Sequence, residues 1–140
     1  VKEGSWNYKS YFNNYRLLKK IKKNFLVMAS GDEHIYPCFK YASDGSQVSL
    51  AAIVPDKIVN LIKLIQNKNY VEAKKLDKKL LILAKNIYGK DPVNFATARI
   101  KYCLKVLKKI PNDSMRSTIS LNQSEKKHLK NSLKSLAFKF

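Results

Sequence analysis

From Tyr8 to Lys23 apolar side chains return at helical spacing. Tyr11, Tyr15, Leu18 and Ile21 make one stripe with Phe12 beside it, and lysines take the outer face. That pattern predicts an amphipathic helix. Phe25-Leu26-Val27-Met28-Ala29 follows after one polar residue. So short an apolar run predicts a buried parallel strand, ended by Ser30-Gly31-Asp32-Glu33. His34 to Tyr41 predicts a short helix, and Ser43-Asp44-Gly45 a turn. Gln47-Val48-Ser49-Leu50-Ala51 predicts a second strand. Pro55 then opens a helix whose apolar face is Ile58, Leu61, Ile62 and Ile65, since proline suits a first helical position. With Val1 to Ser5 taken as the end of a strand, residues 1–66 alternate strand and helix three times. Alternation of this kind implies an α/β unit, a parallel sheet with helical crossovers.

After Asn67-Lys68-Asn69 the rhythm changes. Tyr70 to Tyr88 predicts a helix with Leu76, Leu80, Leu83 and Ile87 in register. Asp91-Pro92 caps and starts another, striped by Ala96, Ile100, Cys103 and Leu107 and stopped by Pro111. A connector from Asn112 to Gln123 leads to a last helix with Leu129, Leu133, Leu136 and Phe140 in register. The boundary therefore falls after residue 66, with 67–140 a helical domain. A parallel sheet of about three strands leaves two raw edges, which a finished α/β domain pairs or covers. The chain also opens inside a strand and without Met. The expectation is a piece of a longer protein.

The composition changes this picture in one respect. The 140 residues are 45% hydrophobic with only 4 Gly and 4 Pro, enough apolar chain to order itself and bury a core. Against 10 acidic residues stand 28 basic ones, a net charge of +18. Lysines release counterions when they neutralise phosphates, so a polyanion partner is one reading. Yet Arg occurs only at positions 16, 99 and 116, and Arg is the preferred reader of phosphate and guanine. The lysines are also spread along the chain, and Asn and Ile are abundant, as a bias toward A and T codons produces. Compositional drift is the stronger account, and a nucleic-acid partner is not expected. The longest uncharged run, Gly45 to Pro55, is far short of a bilayer span, and no signal peptide opens the chain. Cys38 and Cys103 belong to no CxxC pair and the two histidines show no ligand spacing. They read as reduced, packed thiols of a cytoplasmic protein, with no metal site.

In parallel α/β architectures ligands bind at the carboxyl ends of the strands. Lys2-Glu3-Gly4-Ser5, Ser30-Gly31-Asp32-Glu33 and Gln47 to Ser49 lie at or near those ends. They bring an amine, carboxylates, hydroxyls and an amide to one rim. A lysine desolvated at the end of a buried strand becomes a nucleophilic amine, as Schiff-base catalysis requires. Read from position alone, Lys2 is one more solvated lysine. Asp32 and Glu33 are equally suited to a helix N-terminus, where the dipole favours acids, and Ser49 to a satisfied strand hydroxyl.

Taken together these segments resemble the second half of the dihydrodipicolinate synthase and N-acetylneuraminate lyase family. The resemblance rests on Val-Lys-Glu-Gly-Ser at 1–5, Ser-Gly-Asp-Glu at 30–33 and Ser-Asp-Gly-Ser-Gln-Val-Ser at 43–49. It continues through Asn67 to Ala73 and through Phe95 to Lys101, where the family has a late helix with a basic residue. Met115 to Leu121 resembles the family's Arg-x-Pro-Leu-x-x-Leu connector, with Thr118 in place of Pro. The resemblance implies the last three βα units of a TIM (βα)8 barrel at 1–66 and a helical C-terminal domain at 67–140.

It also implies a class I aldolase-type lyase that holds pyruvate as a Schiff base on Lys2, without a metal or other cofactor. Members act as 4-hydroxy-tetrahydrodipicolinate synthase, N-acetylneuraminate lyase or keto-deoxy sugar acid aldolase. Substrates are a keto acid and an aldehyde, and homotetramers are common. Asp32 and Glu33 fall on the acidic pair after the seventh strand, with Ser30 or Gly31 as the small residue before it. Ser49 matches a substrate-contacting hydroxyl on the eighth strand, and Asp32-Glu33 with Ser49 tilts toward a sugar-acid substrate. Gln47 stands where a large aliphatic residue packs beside the Schiff base. The loop that holds the pyruvate carboxylate and the proton-relaying Tyr precede the lysine strand in the family and have no counterpart here. The chain alone is therefore expected to be inactive. The competing class is a basic helical module that binds nucleic acid or an acidic surface, and salt-sensitive retention on DNA distinguishes it.

Overall fold

The computed structural model describes residues 1–116 and 119–140, so the comparison made at Thr118 lies outside the described residues. Helix α1 (Tyr8–Ile21) leads to β1 (Met28–Ala29), α2 (Ile35–Tyr41) and β2 (Gly45–Ser46). Then come α3 (Leu50–Ile53), α4 (Pro55–Gln66), α5 (Tyr70–Tyr88), a 3-10 turn (Val93–Phe95), α6 (Ala96–Val106) and α7 (Gln123–Ser135). The chain is mostly helical with a small parallel sheet. No helix among the described residues is long and apolar enough to cross a membrane.

The sheet is small but its register is defined. Met28 lies opposite Gly45 and Ala29 opposite Ser46, both in parallel, and Lys2 makes a parallel bridge to Met28. Because side chains alternate along a strand, Lys2, Met28 and Gly45 share one face, and Gln47 falls on it two residues on. The other face carries Val27 and Ala29, buried with Tyr11 of α1 and Cys38 of α2. The two crossover helices thus cover one side of the sheet. A Cβ built on Gly45 would lie 2.5 Å from the Met28 Cε and 2.7 Å from its sulfur, so a larger residue there requires the flexible end of the thioether to move aside.

A second, larger cluster joins α2 through α7 and runs from Ile35 to Leu136, continuous across residues 66 and 67. The predicted stripes of α4 and α5 make its centre: Ile58, Leu61 and Ile65 against Leu80, Leu83 and Ile87 are all buried. Both cysteines are free and buried, and burial pushes each thiol up to about 12.

Several boundaries differ from the sequence reading. The first strand is two residues long, and the second lies at Gly45–Ser46, ahead of the apolar run read as strand. Leu50 and Ala51 are helical because the Asp32 carboxylate accepts the Leu50 N–H at 2.6 Å and starts α3. Ile21, the last residue of α1, is 75% exposed rather than part of the buried stripe. Helix α6 ends at Val106, ahead of Pro111, where Lys108 turns the backbone to φ 57°. Phe140 lies beyond α7, because Ala137 at φ 66° breaks the helical path after Leu136.

Candidate active site

The residues singled out from the sequence converge on one end of the sheet, in different states. Lys2 is exposed, on the face shared with Met28 and Gly45. Its strand is anchored by the Glu3 N–H to the Met28 carbonyl at 3.0 Å and the Met28 N–H to the Val1 carbonyl at 2.7 Å. Glu3 points to the opposite, buried side, where its carboxylate accepts from the Ser5 N–H and hydroxyl and from Asn14 at 3.0–3.1 Å. Among the described residues no other lysine occupies a strand. The chain's own residues do not supply the burial that the sequence reading asked of Lys2.

The loop after β1 is built as a bracket. The Ser30 hydroxyl donates to the Glu3 carbonyl and is spent there. Gly31 adopts φ +92°, a region that side-chain-bearing residues rarely enter. The buried Asp32 carboxylate accepts from the Ser49 N–H at 3.4 Å as well as from Leu50, tying this loop to the loop after β2. Burial raises its pKa, while those backbone donors and the Lys2 ammonium act in the opposite direction. Glu33 and Ser49 are exposed. Gln47 is exposed too, with its N–H given to the Ala29 carbonyl at 2.9 Å and its side chain free for a ligand.

Three further residues join the rim that the sequence reading missed. Trp6, His34 and Tyr88 line a cavity of about 30 Å³ with Gly31, Asp32 and Glu33, room for about one water. Trp6 meets Tyr88 edge-on, ring centres 5.7 Å apart, and closes this space. It does so at φ 55°, an unfavourable backbone region for a bulky residue. The Tyr88 hydroxyl is buried next to Ser49 and Asp32 with no partner within hydrogen-bond geometry among the described residues, and burial raises its pKa. Beside His34, on α5, burial pushes the Asp77 carboxyl up to about 6, against the pull of the histidine.

The end of α5, which carries Tyr88, is clasped by Arg99 of α6, which is 1% exposed. Its Nη1 donates to the carbonyls of Ile87 at 2.9 Å and Lys90 at 2.8 Å, and Nη2 to that of Asp91 at 3.2 Å. Nε and Nη2 both reach one carboxylate oxygen of Glu125, at 3.1 and 3.0 Å. The guanidinium therefore satisfies the carbonyls at the end of α5, which a helix leaves unpaired. The helical half reaches the rim through this clasp.

A parallel sheet with its lysine and amide on one face and a carboxylate bracket at the strand ends is a recognisable arrangement. The sequence profile of the Dihydrodipicolinate synthetase family matches residues 1–136. The chain belongs to this family. Among curated proteins none matches the chain in sequence. Solved structures agree on the fold. Dihydrodipicolinate synthase from Thermotoga maritima superposes with a TM-score of 0.83 at 18% identity, over 98% of this chain and 45% of that one. N-acetylneuraminate lyase from Fusobacterium nucleatum gives 0.72 at 22% identity, over 96% and 43%. A prophage protein of the dihydrodipicolinic acid synthase family from E. coli K12, solved in complex with pyruvate, gives 0.77 at 20%, over 97% and 44%. The chain thus spans less than half the length of these family members.

Proposed function

We propose that this member of the dihydrodipicolinate synthetase family supplies the lysine-bearing part of a pyruvate-dependent aldolase-type lyase. The observation that carries this reading is the Lys2–Met28–Gly45 row. It sets one amine on the open face of a parallel sheet, beside the Gln47 amide and within the field of Asp32. In the family's barrel, residues 1–66 form the last three βα units and 67–140 the helical C-terminal domain. The residues preceding Lys2 would cover the open face and desolvate the amine.

The chemistry follows from an uncharged lysine. Its Nζ lone pair attacks the keto carbon of pyruvate, and the resulting carbinolamine loses water to give an imine on Lys2. The protonated imine draws electrons from the adjacent methyl group, which gives up a proton and leaves an enamine. The enamine carbon then adds to an aldehyde carbonyl, or the same steps in reverse cleave a 2-keto acid to pyruvate. Water hydrolyses the imine and returns Lys2. No metal or further cofactor takes part in this scheme. Gln47, standing beside the imine, addresses the aldehyde partner. The cationic surface steers anionic keto acids inward, and assembly as a homotetramer follows the family resemblance.

Borohydride trapping tests the reading. With the chain expressed together with the upstream half of its barrel, pyruvate plus borohydride leaves a reduced pyruvyl group on Lys2 alone. Lys2→Ala abolishes adduct and turnover, and Lys2→Arg fails as well because a guanidinium forms no imine. An adduct mapped to another lysine, or full activity in Lys2→Ala, removes the aldolase reading.

A further inference from the structure

The lysine excess is not uniform in its effect. Between α6 and α7 lies a cleft of about 370 Å³ lined by Tyr102, Gln123, Lys126, Lys127, Lys130, Asn131 and Lys134. Four ammonium groups from one helix and two amides face the same hollow, and no carboxylate lines it. Lys126, Lys130 and Lys134 follow one another at i, i+4 and i+8, where like charges destabilise a helix. Among the described residues none of these lysines is in an ion pair. The acids nearby are already engaged. Glu125, the one carboxylate of α7, is turned to Arg99 and to the Asn122 N–H. Asp113, whose carboxyl is held down chiefly by Lys105 and only in part by Lys126, pairs with Lys105 at 2.8 Å.

A comparable hollow between α4 and α5 shows the difference. It measures about 470 Å³ and is lined by Lys75, Lys78 and Lys79, but Glu72 lines it too and pairs with Lys75 at 2.7 Å. Lysine abundance therefore accounts for the α4–α5 surface without a ligand. In the α6–α7 cleft Lys126 lies over the Tyr102 ring at 5.9 Å, and among the described residues no carboxylate pairs with Lys126, Lys127, Lys130 or Lys134.

We infer that the α6–α7 cleft is a binding site for a small, multiply phosphorylated anion. The volume lies within the range of small-molecule sites, about 300–1,000 Å³. Ammonium groups bind phosphate oxygens as point charges, and amides add donors without adding charge. Nucleic acid fits less well. No arginine lines the cleft, and Tyr102 on its floor is 7% exposed, so it presents no face for a base to stack on. The site lies in the helical half, and its test is independent of pyruvate chemistry.

Tripolyphosphate is the probe, titrated calorimetrically into the chain at low salt. One ion binds per chain and raises the melting temperature. The triple variant Lys126→Gln/Lys130→Gln/Lys134→Gln, its helicity checked by circular dichroism, loses about tenfold or more in affinity. The control triple Lys74→Gln/Lys78→Gln/Lys79→Gln removes the same charge from α5 and loses less than about twofold. Equal losses in the two triples would show diffuse attraction by net charge and overturn the site. Absence of binding by the unmodified chain would overturn it as well. A single-stranded oligonucleotide that binds more tightly than tripolyphosphate, and is released by the cleft triple alone, would replace the small anion with nucleic acid.

Discussion

Replacing Arg99 by alanine removes a side chain that is 1% exposed and gives five hydrogen bonds. Three of their acceptors are main-chain carbonyls at the end of α5 and the turn after it. Each carbonyl left without a donor costs about 1 kcal/mol at the low end of the usual range. Glu125, at 15% side-chain exposure, loses its cation and adds about 1–2 kcal/mol. The sum is about 4 kcal/mol, a large part of the ~5–15 kcal/mol that holds a domain folded. Arg99→Lys keeps the charge but not the planar fork, and loses about 2 kcal/mol. Glu125→Ala also breaks the capping box with Asn122, worth about 1 kcal/mol by itself. Urea unfolding followed by far-UV circular dichroism measures all three variants. The double variant should fall short of the sum of the singles by about 1–3 kcal/mol, because the two residues share one interaction. A loss under about 1 kcal/mol for Arg99→Ala, or strict additivity, would refute the clasp.

Other expectations concern the rim and its surroundings. The folded Asp77 carboxyl, raised from 3.8 to about 6, binds its proton more tightly than in the unfolded chain. Stability therefore falls as pH rises from about 4 to about 6 and stays lower above that. Asp77→Asn should stabilise by about 1 kcal/mol near neutral pH, after allowance for the solvent reaching the group, and change little near pH ~4; a melting series across pH checks both. Under the proposed lyase function Gln47→Leu should alter acceptor preference while pyruvate trapping on Lys2 persists, and an unchanged acceptor profile would make Gln47 a packing residue. Gly45→Ala displaces only the flexible end of the Met28 thioether and should cost about 1 kcal/mol or less in denaturant melts, a loss above about 2 kcal/mol refuting that reading.

The long helices were legible because their burial is periodic. Ile58, Leu61 and Ile65, and Leu80, Leu83 and Ile87, recur at the helical spacing, and each of these residues is buried. The strands were not, because their signal is short and small. Gly45 and Ser46 have no β-preference to announce a strand, whereas the apolar run after Gln47 suits a strand or a helix equally at that length. The tie from Asp32 to the Leu50 N–H decides it, and such a contact carries no periodicity. At the site, Lys2, Asp32 and Gln47 lay next to predicted strand ends, but it was the family resemblance, not position alone, that set them apart. Trp6, His34 and Tyr88 come from three separate elements and meet only through folding. Arg99 lay only in a stretch resembling the family's late helix, and nothing in the sequence reading tied it to Glu125, which the structure shows in a capping box with Asn122.

The placement of Trp6 has an optical consequence. It is the one tryptophan of the chain, 58% exposed, with a tyrosine ring 5.7 Å away and the Asp32 bracket beneath it. Fluorescence excited in the indole band thus originates at the strand-end rim and nowhere in the helical half. Light absorbed by Tyr88 passes to the indole by energy transfer over that short separation. A ligand seating at the rim would change the emission colour, and loosening of α5 from the loops would change the transfer from tyrosine. The two events register as separate signals in an unlabelled protein.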